Sequence, residues 1–130
     1  MRRLLLLACA ANGFVAVALG AFGAHGLKTR LADLPDVARR LGWWDTASHY
    51  HLLHALALGL LALAVERVPR AWVSRAGVAM LVGIVLFSGS LYAMTLSGVT
   101  ALGAVTPLGG VGFLLGWASF GIGALRAPRR

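Results

Sequence analysis

The sequence predicts an all-α fold, an integral membrane four-helix bundle with both termini in the cytoplasm. Three observations predict it. From residue 76 to residue 125 the chain runs fifty residues without an Asp, Glu, Lys, Arg or His. As one helix at ~1.5 Å per residue that stretch would reach ~75 Å, against a hydrocarbon core about 30 Å thick, so it must fold back on itself. Two further apolar stretches, 4–24 and 51–65, precede it. The composition is 59% hydrophobic and 12% charged, whereas soluble domains average about 45–50% and about 25%. Lipid must therefore cover much of the surface. With 130 residues there is room for one bundle and for no second domain.

The first span is expected over 4–26. Small residues at Cys9, Gly13, Ala16, Gly20 and Gly23 follow spacings of 4, 3, 4 and 3, one seam along which another helix can approach closely. Asn12 is the only strongly polar side chain inside this span and is expected to face the bundle, because an unpartnered amide in hydrocarbon is costly. The apolar run before Cys9 is too short for a lipoprotein signal, and the run before Ala24 suits a span better than a cleaved signal, so the segment is expected to be retained. A sizeable loop follows, 27–48. Within it Pro35 favours a helical first turn and Asp36 suits the positive end of the dipole. Val37, Leu41 and Trp44 fall on one side, which predicts a short amphipathic helix over 35–46 lying at the interface, with Trp43 and Trp44 at headgroup depth, either as a separate element or continuing into the second span.

The second span is expected over 48–66, closed by a short loop around Pro69. The third is expected over 76–96, with Ser97-Gly98 as the turn signal. Thr106-Pro107 reads as an N-cap followed by a first-turn proline, which starts the fourth span at 107–125 and leaves 99–105 as an irregular apolar connection. Such backbone is tolerated at membrane depth only where protein covers it. Gly109, Gly112, Gly116, Ser119 and Gly123 repeat the small-residue spacing, so this helix too is expected to pack closely.

The net charge of +8 does not point to nucleic acid, because the basic residues flank the spans. With four spans, Arg2, Arg3, Arg67, Arg70, Arg75, Arg126, Arg129 and Arg130 share one side with Glu66. Lys28, Arg30, Arg39 and Arg40 share the other with three Asp. Eight basic residues against four places both termini in the cytoplasm and the chain in the inner membrane as a multi-pass protein.

That orientation gathers polar groups at the outer end. His25 closes the first helix, His49, His51 and His54 open the second, Tyr92 lies near the end of the third, and Thr106 opens the fourth. Such a group could bind a small ligand. His51 and His54, three apart on one helix face, with His25 as a third, could hold a transition metal, two facing histidines could hold haem iron, an imidazole could relay protons, or the histidines could simply hydrogen-bond neighbouring helices. No nucleophile–base motif, phosphate loop or intramembrane carboxylate appears in the sequence, so neither an enzyme nor a driven transporter is expected. Cys9 alone permits no internal disulfide.

The motifs Gly20-Ala21-Phe22-Gly23-Ala24-His25-Gly26-Leu27-Lys28, Tyr50 with His54-Ala55-Leu56-Ala57-Leu58, Phe87-Ser88-Gly89-Ser90-Leu91-Tyr92, and Thr106-Pro107-Leu108-Gly109-Gly110 with Phe113 and Gly116-Trp117 carry a resemblance. They resemble the bacterial membrane family known as domain-of-unknown-function family 423, which is similar to the eukaryotic transmembrane protein 256. The resemblance implies a four-helix membrane protein with no established activity. It also picks out His25, Lys28, Tyr50, His54, Ser88, Ser90, Tyr92 and Thr106 as positions in the family's pattern, while His49 and His51 fall outside it. These eight form the candidate polar pocket, in which His25, Tyr50 and His54 are expected to meet near the N-terminus of the fourth helix, because the first two helices should be antiparallel neighbours. The function expected is non-enzymatic binding of a small ligand or a membrane partner at the outer end, without a cofactor. The alternatives are a metal- or haem-binding redox protein using His25 and His54, and an assembly or scaffold protein of a membrane complex.

The charge asymmetry is directly testable. A reporter fused after Arg130 is expected to be active only in a cytoplasm-reading format, and activity of a periplasm-only reporter there would invert the topology.

Overall fold

The computed structural model describes residues 1–128 and contains four helices long and apolar enough to cross a membrane: α1 (Arg2–Arg30), α2 (Val37–Ala64), α3 (Arg70–Ser97), and α4 (Thr106–Leu125), which a 3₁₀ turn at Thr100–Ala104 precedes. Arg129 and Arg130, counted above in the basic cluster, lie outside the described residues. The termini and the α2–α3 loop share one end of the bundle, where Arg2 donates to Glu66 at 3.2 Å. The α1–α2 loop and the α3–α4 turn share the other, here called the distal end.

α1 runs past the expected end at residue 26. Gly23–Leu27 forms a π turn rather than a stop, and the helix continues to Arg30. The cause is Trp44. Its indole fills the space beside Gly23, where a Cβ would lie 2.6 Å from Nε1. Its N–H donates to the Leu19 carbonyl at 2.7 Å. A side chain pressed against the backbone in this way widens a helix locally. Leu27 and Leu31 then bury themselves against Trp44, and that burial extends the helix.

In α2 the segment expected at the interface continues into the span: residues from Val37 onward form the first turns of one helix of 28 residues, so 35–46 is not a separate element. Val37, Leu41 and Trp44 pack on α1 and the loop instead of lying among headgroups, and Trp44 is buried. Trp43 keeps a partly exposed position under the Arg39 guanidinium, at 5.2 Å. Asp36 does not cap the helix with its side chain. Its carboxylate accepts from Arg39 at 3.0 Å and from Arg40 at 3.0 Å, and these partners hold it below the usual carboxylate range. A depressed carboxyl pKa contributes stability above its ordinary pKa and loses it as the pH falls through the lowered one. Arg40 also donates to the Thr95 carbonyl at 3.1 Å, while the buried Thr95 hydroxyl donates to the Arg40 carbonyl at 3.1 Å, which pins the start of α2 to the end of α3.

α3 begins at Arg70, with Pro69 as its N-cap residue, and ends at Ser97. Gly98 adopts φ 75°, the left-handed stop that favours glycine. A Cβ there would also strike the Arg40 guanidinium. In the turn that follows, Leu102 packs on Ala47, Leu91 and Met94. Thr106 is the first residue of α4, not its N-cap, and its hydroxyl turns to Ser90 instead.

α1 packs on α2, α3 packs on α4, and α2 also lies against α3. The main core combines Leu58 and Leu61 of α2, Val73, Met80 and Ile84 of α3, and Phe113 of α4, with Leu5 of α1 at its edge. The α3–α4 seam is backbone against backbone. A Cβ on Gly109 would fall on the Phe87 nitrogen and 2.7 Å from its Cα; one on Gly112 would lie 3.2 Å from the Ala79 oxygen. On Gly116 it would meet Met80 Cγ at 2.8 Å, and on Gly123 the Trp72 Cβ at 2.6 Å. A second π turn, Ile84–Ser88, lies at this contact. On α1 the seam is uneven. Gly23 receives Trp44 and Gly20 faces Ser48 at 4.0 Å, but Gly13 meets nothing within 4 Å.

This contrast predicts opposite outcomes for one substitution. Gly109→Ala is expected to lower thermal stability in detergent by roughly 1–3 kcal/mol through overpacking. Gly13→Ala is expected to leave it unchanged or raise it by up to about 1 kcal/mol, since alanine is the better helix former. Equal behaviour of the two variants in a melting experiment would contradict the close α3–α4 contact.

Candidate functional site

The polar side chains form two groups at different depths. The first lies in mid-span on α2. From Val37 to His51 the helix rises ~21 Å, so His51 and His54 lie near the middle of α2 and not at its distal end. His51 Nε2 lies 3.2 Å from Asn12 Oδ1, and the Asn12 amide nitrogen donates to the Ala8 carbonyl at 2.8 Å. That second bond orients the amide, so His51 must donate through Nε2. Its Nδ1 is left to accept a long contact from the Tyr92 hydroxyl at 3.4 Å. His54 has the opposite tautomer. Its Nδ1 donates to the Tyr50 carbonyl at 2.8 Å, and its Nε2 accepts from Trp117 Nε1 at 3.3 Å. The His54 ring stacks on Phe113, with centroids 3.5 Å apart. Each imidazole therefore has both ring nitrogens engaged within the protein, as an interior without water demands.

Ser90 and Thr106 form a pair nearby. The Ser90 hydroxyl donates to the Phe87 carbonyl at 2.9 Å and accepts from Thr106 at 2.7 Å. Ser88 is fully buried, and its hydroxyl has no partner among the described residues. Tyr50 is half-exposed beside Phe87, with ring centroids 4.7 Å apart.

The second group lies at the distal end, in a cleft of about 310 Å³ between α1 and α2. Lys28, Asp45 and Ser48 supply its polar groups, and Gly20, Gly23 and Trp44 also line it. Among the described residues neither Lys28 nor Asp45 forms an ion pair.

The expected pocket shared by His25, Tyr50 and His54 is not formed. α1 and α2 are antiparallel neighbours, but Gly23 lies level with Trp44, which is ten residues or ~15 Å of helix away from His54. His25 is exposed at the distal end of α1, and His49 is exposed on α2. The reason is the length of α2: fusing 37–46 to the span carries His54 to the centre of the helix. The two histidines proposed for metal or haem are thus not brought together. Among the described residues no group of three His, Cys, Asp or Glu could hold a metal ion. The partners that sequence reasoning missed are Trp117, Trp44 and the Arg40–Thr95 pair. Only the polarity of Asn12 within an otherwise apolar span signalled the His51 contact.

A family model described as "Protein of unknown function (DUF423)" matches residues 19–110. The chain is 43% identical over 128 residues to the UPF0382 inner membrane protein YgdD of Escherichia coli (strain K12), covering 98% of this chain and 94% of the relative. It is 42% identical over 118 residues to the UPF0382 membrane protein YwdK of Bacillus subtilis (strain 168), covering 90% and 92%. A UPF0382 membrane protein of Staphylococcus epidermidis (strain ATCC 12228 / FDA PCI 1200) is 41% identical over 117 residues, covering 90% and 91%. No solved structure matches the chain.

The Trp117–His54 bond is testable by a substitution that keeps an aromatic ring. Trp117→Phe leaves His54 Nε2 without a donor, and an unsatisfied buried acceptor costs about 1–3 kcal/mol. A melting temperature lowered accordingly in detergent is expected. An unchanged melting curve would show that the indole N–H is not held by His54.

Proposed function

Because the chain belongs to the DUF423 family, and is a multi-pass inner-membrane protein, we propose that it acts without enzymatic chemistry, binding a small ligand or a membrane partner at its distal end. The observation that carries this is the α1–α2 cleft. It holds one cation and one carboxylate, Lys28 and Asp45, both free of ion pairs among the described residues, above a surface of glycines and Trp44. Groups so placed suit a small polar ligand bearing complementary charge. The basic asymmetry of the sequence supports placing this end outside the cytoplasm. Support for a non-enzymatic role comes from His51 and His54, whose ring nitrogens are all occupied, leaving neither as a general base for Ser88 or Ser90.

Mass spectrometry of small molecules co-purifying with the full chain tests the proposal. A compound present with the wild type and depleted in a folded Lys28→Gln/Asp45→Asn variant is the expected result. A wild type that carries only protein partners would favour the scaffold alternative, and one with no bound species would overturn ligand binding.

A further inference from the structure

At the terminal end, opposite the distal cleft, two arginines pack on Trp72. The guanidinium carbons of Arg75 and Arg126 each lie 4.9 Å from the centroid of its ring. The two cations are therefore no more than twice that distance apart. They come from different helices: Arg75 from the second turn of α3 and Arg126 from just past the end of α4. Among the described residues neither guanidinium meets a carboxylate. The single acidic side chain at this end, Glu66, is held by Arg2 at 3.2 Å. Two cations held on one ring, with no ionic partner among the described residues, suit an anion.

Arg75 also lines an apolar groove of about 520 Å³ between α3 and α4. Val78, Val82 and Leu115 form its walls, and Gly112 also lines it. The groove runs from Arg75 to Val82, ~10 Å along the helix, into the part of the chain that carries no charge. Val78, Val82 and Leu115 are exposed, so in a membrane they face lipid. An anion-binding mouth at headgroup level above an apolar channel at acyl-chain level matches one molecule, a phospholipid with a negatively charged headgroup. We propose that this face binds an anionic phospholipid, its phosphate at Arg75 and Arg126 and one acyl chain along Val78, Val82 and Leu115. Trp72 fixes both guanidinium groups by cation–π contact, so little side-chain freedom is lost on binding.

Native mass spectrometry of the full chain, released from detergent supplemented with equal phosphatidylglycerol and phosphatidylcholine, tests this. The wild type is expected to retain phosphatidylglycerol preferentially, and Arg75→Gln/Arg126→Gln to lose that preference by roughly tenfold. Arg70→Gln, an exposed basic residue at the same end but outside the groove, is expected to keep it. Should the double variant fail to fold, Arg126→Gln alone, just beyond the end of α4, carries the test. Equal retention of the two lipids by the wild type would overturn the proposal. So would an undiminished preference in the groove variants, an equal loss in Arg70→Gln, or a second protein chain bound in place of lipid.

Discussion

His51 and His54 of α2 tie all four helices together. His51 meets Asn12 of α1 and Tyr92 of α3, while His54 meets Trp117 of α4. Water cannot satisfy polar groups in a hydrocarbon interior, so each must find a partner within the protein. Two imidazoles near the middle of one helix therefore demand donors and acceptors from every neighbour. The opposite tautomers follow from that demand. His51 donates through Nε2 because the Asn12 oxygen faces it, and His54 donates through Nδ1 because the Tyr50 carbonyl does. Interhelical bonds of this kind are individually modest, about 0.6–2 kcal/mol. Their weight lies in specificity, since a shift of α1 or α4 along α2 would leave a buried nitrogen unpaired.

Around that centre the two helical pairs are closed by different means. α3 and α4 approach until backbone meets backbone, through Gly83, Gly109 and Gly112. α1 and α2 are joined by a large side chain, with Trp44 seated against Gly23 and bonded to Leu19. Each contact coincides with a π turn, Ile84–Ser88 in one case and Gly23–Leu27 in the other. Close approach without side chains strengthens dispersion contacts, the main source of helix association where lipid already solvates apolar surface. Packing through Trp44 leaves a polar-lined cleft at the distal end of the same helix pair.

The ends of the bundle differ in charge chemistry. At the distal end the cations are partly neutralised: Arg39 and Arg40 share Asp36, and Arg40 also clamps α2 to α3. At the terminal end Arg75 and Arg126 are gathered by an aromatic ring and not by a carboxylate. The first pattern holds the fold together. The second leaves positive charge available at the level where lipid headgroups lie.

The sequence by itself determined that the chain crosses the membrane four times and to which family it belongs. Both are carried by uninterrupted apolar runs and contiguous motifs, which are local properties. Charge counts along the chain also sorted its ends into a more basic and a less basic one. Depth was not legible. Whether 37–46 lies at the interface or continues the second span depends on whether Val37, Leu41 and Trp44 find lipid or α1, and only the folded α1 supplies that partner. The consequence reaches the site. With α2 lengthened, His54 moves to the middle of the bundle, away from His25, and pairs with a tryptophan 63 residues away in sequence. Which donor meets which acceptor across helices is a matter of register and rotation, and it was settled by tertiary packing because no spacing within a single helix encodes it.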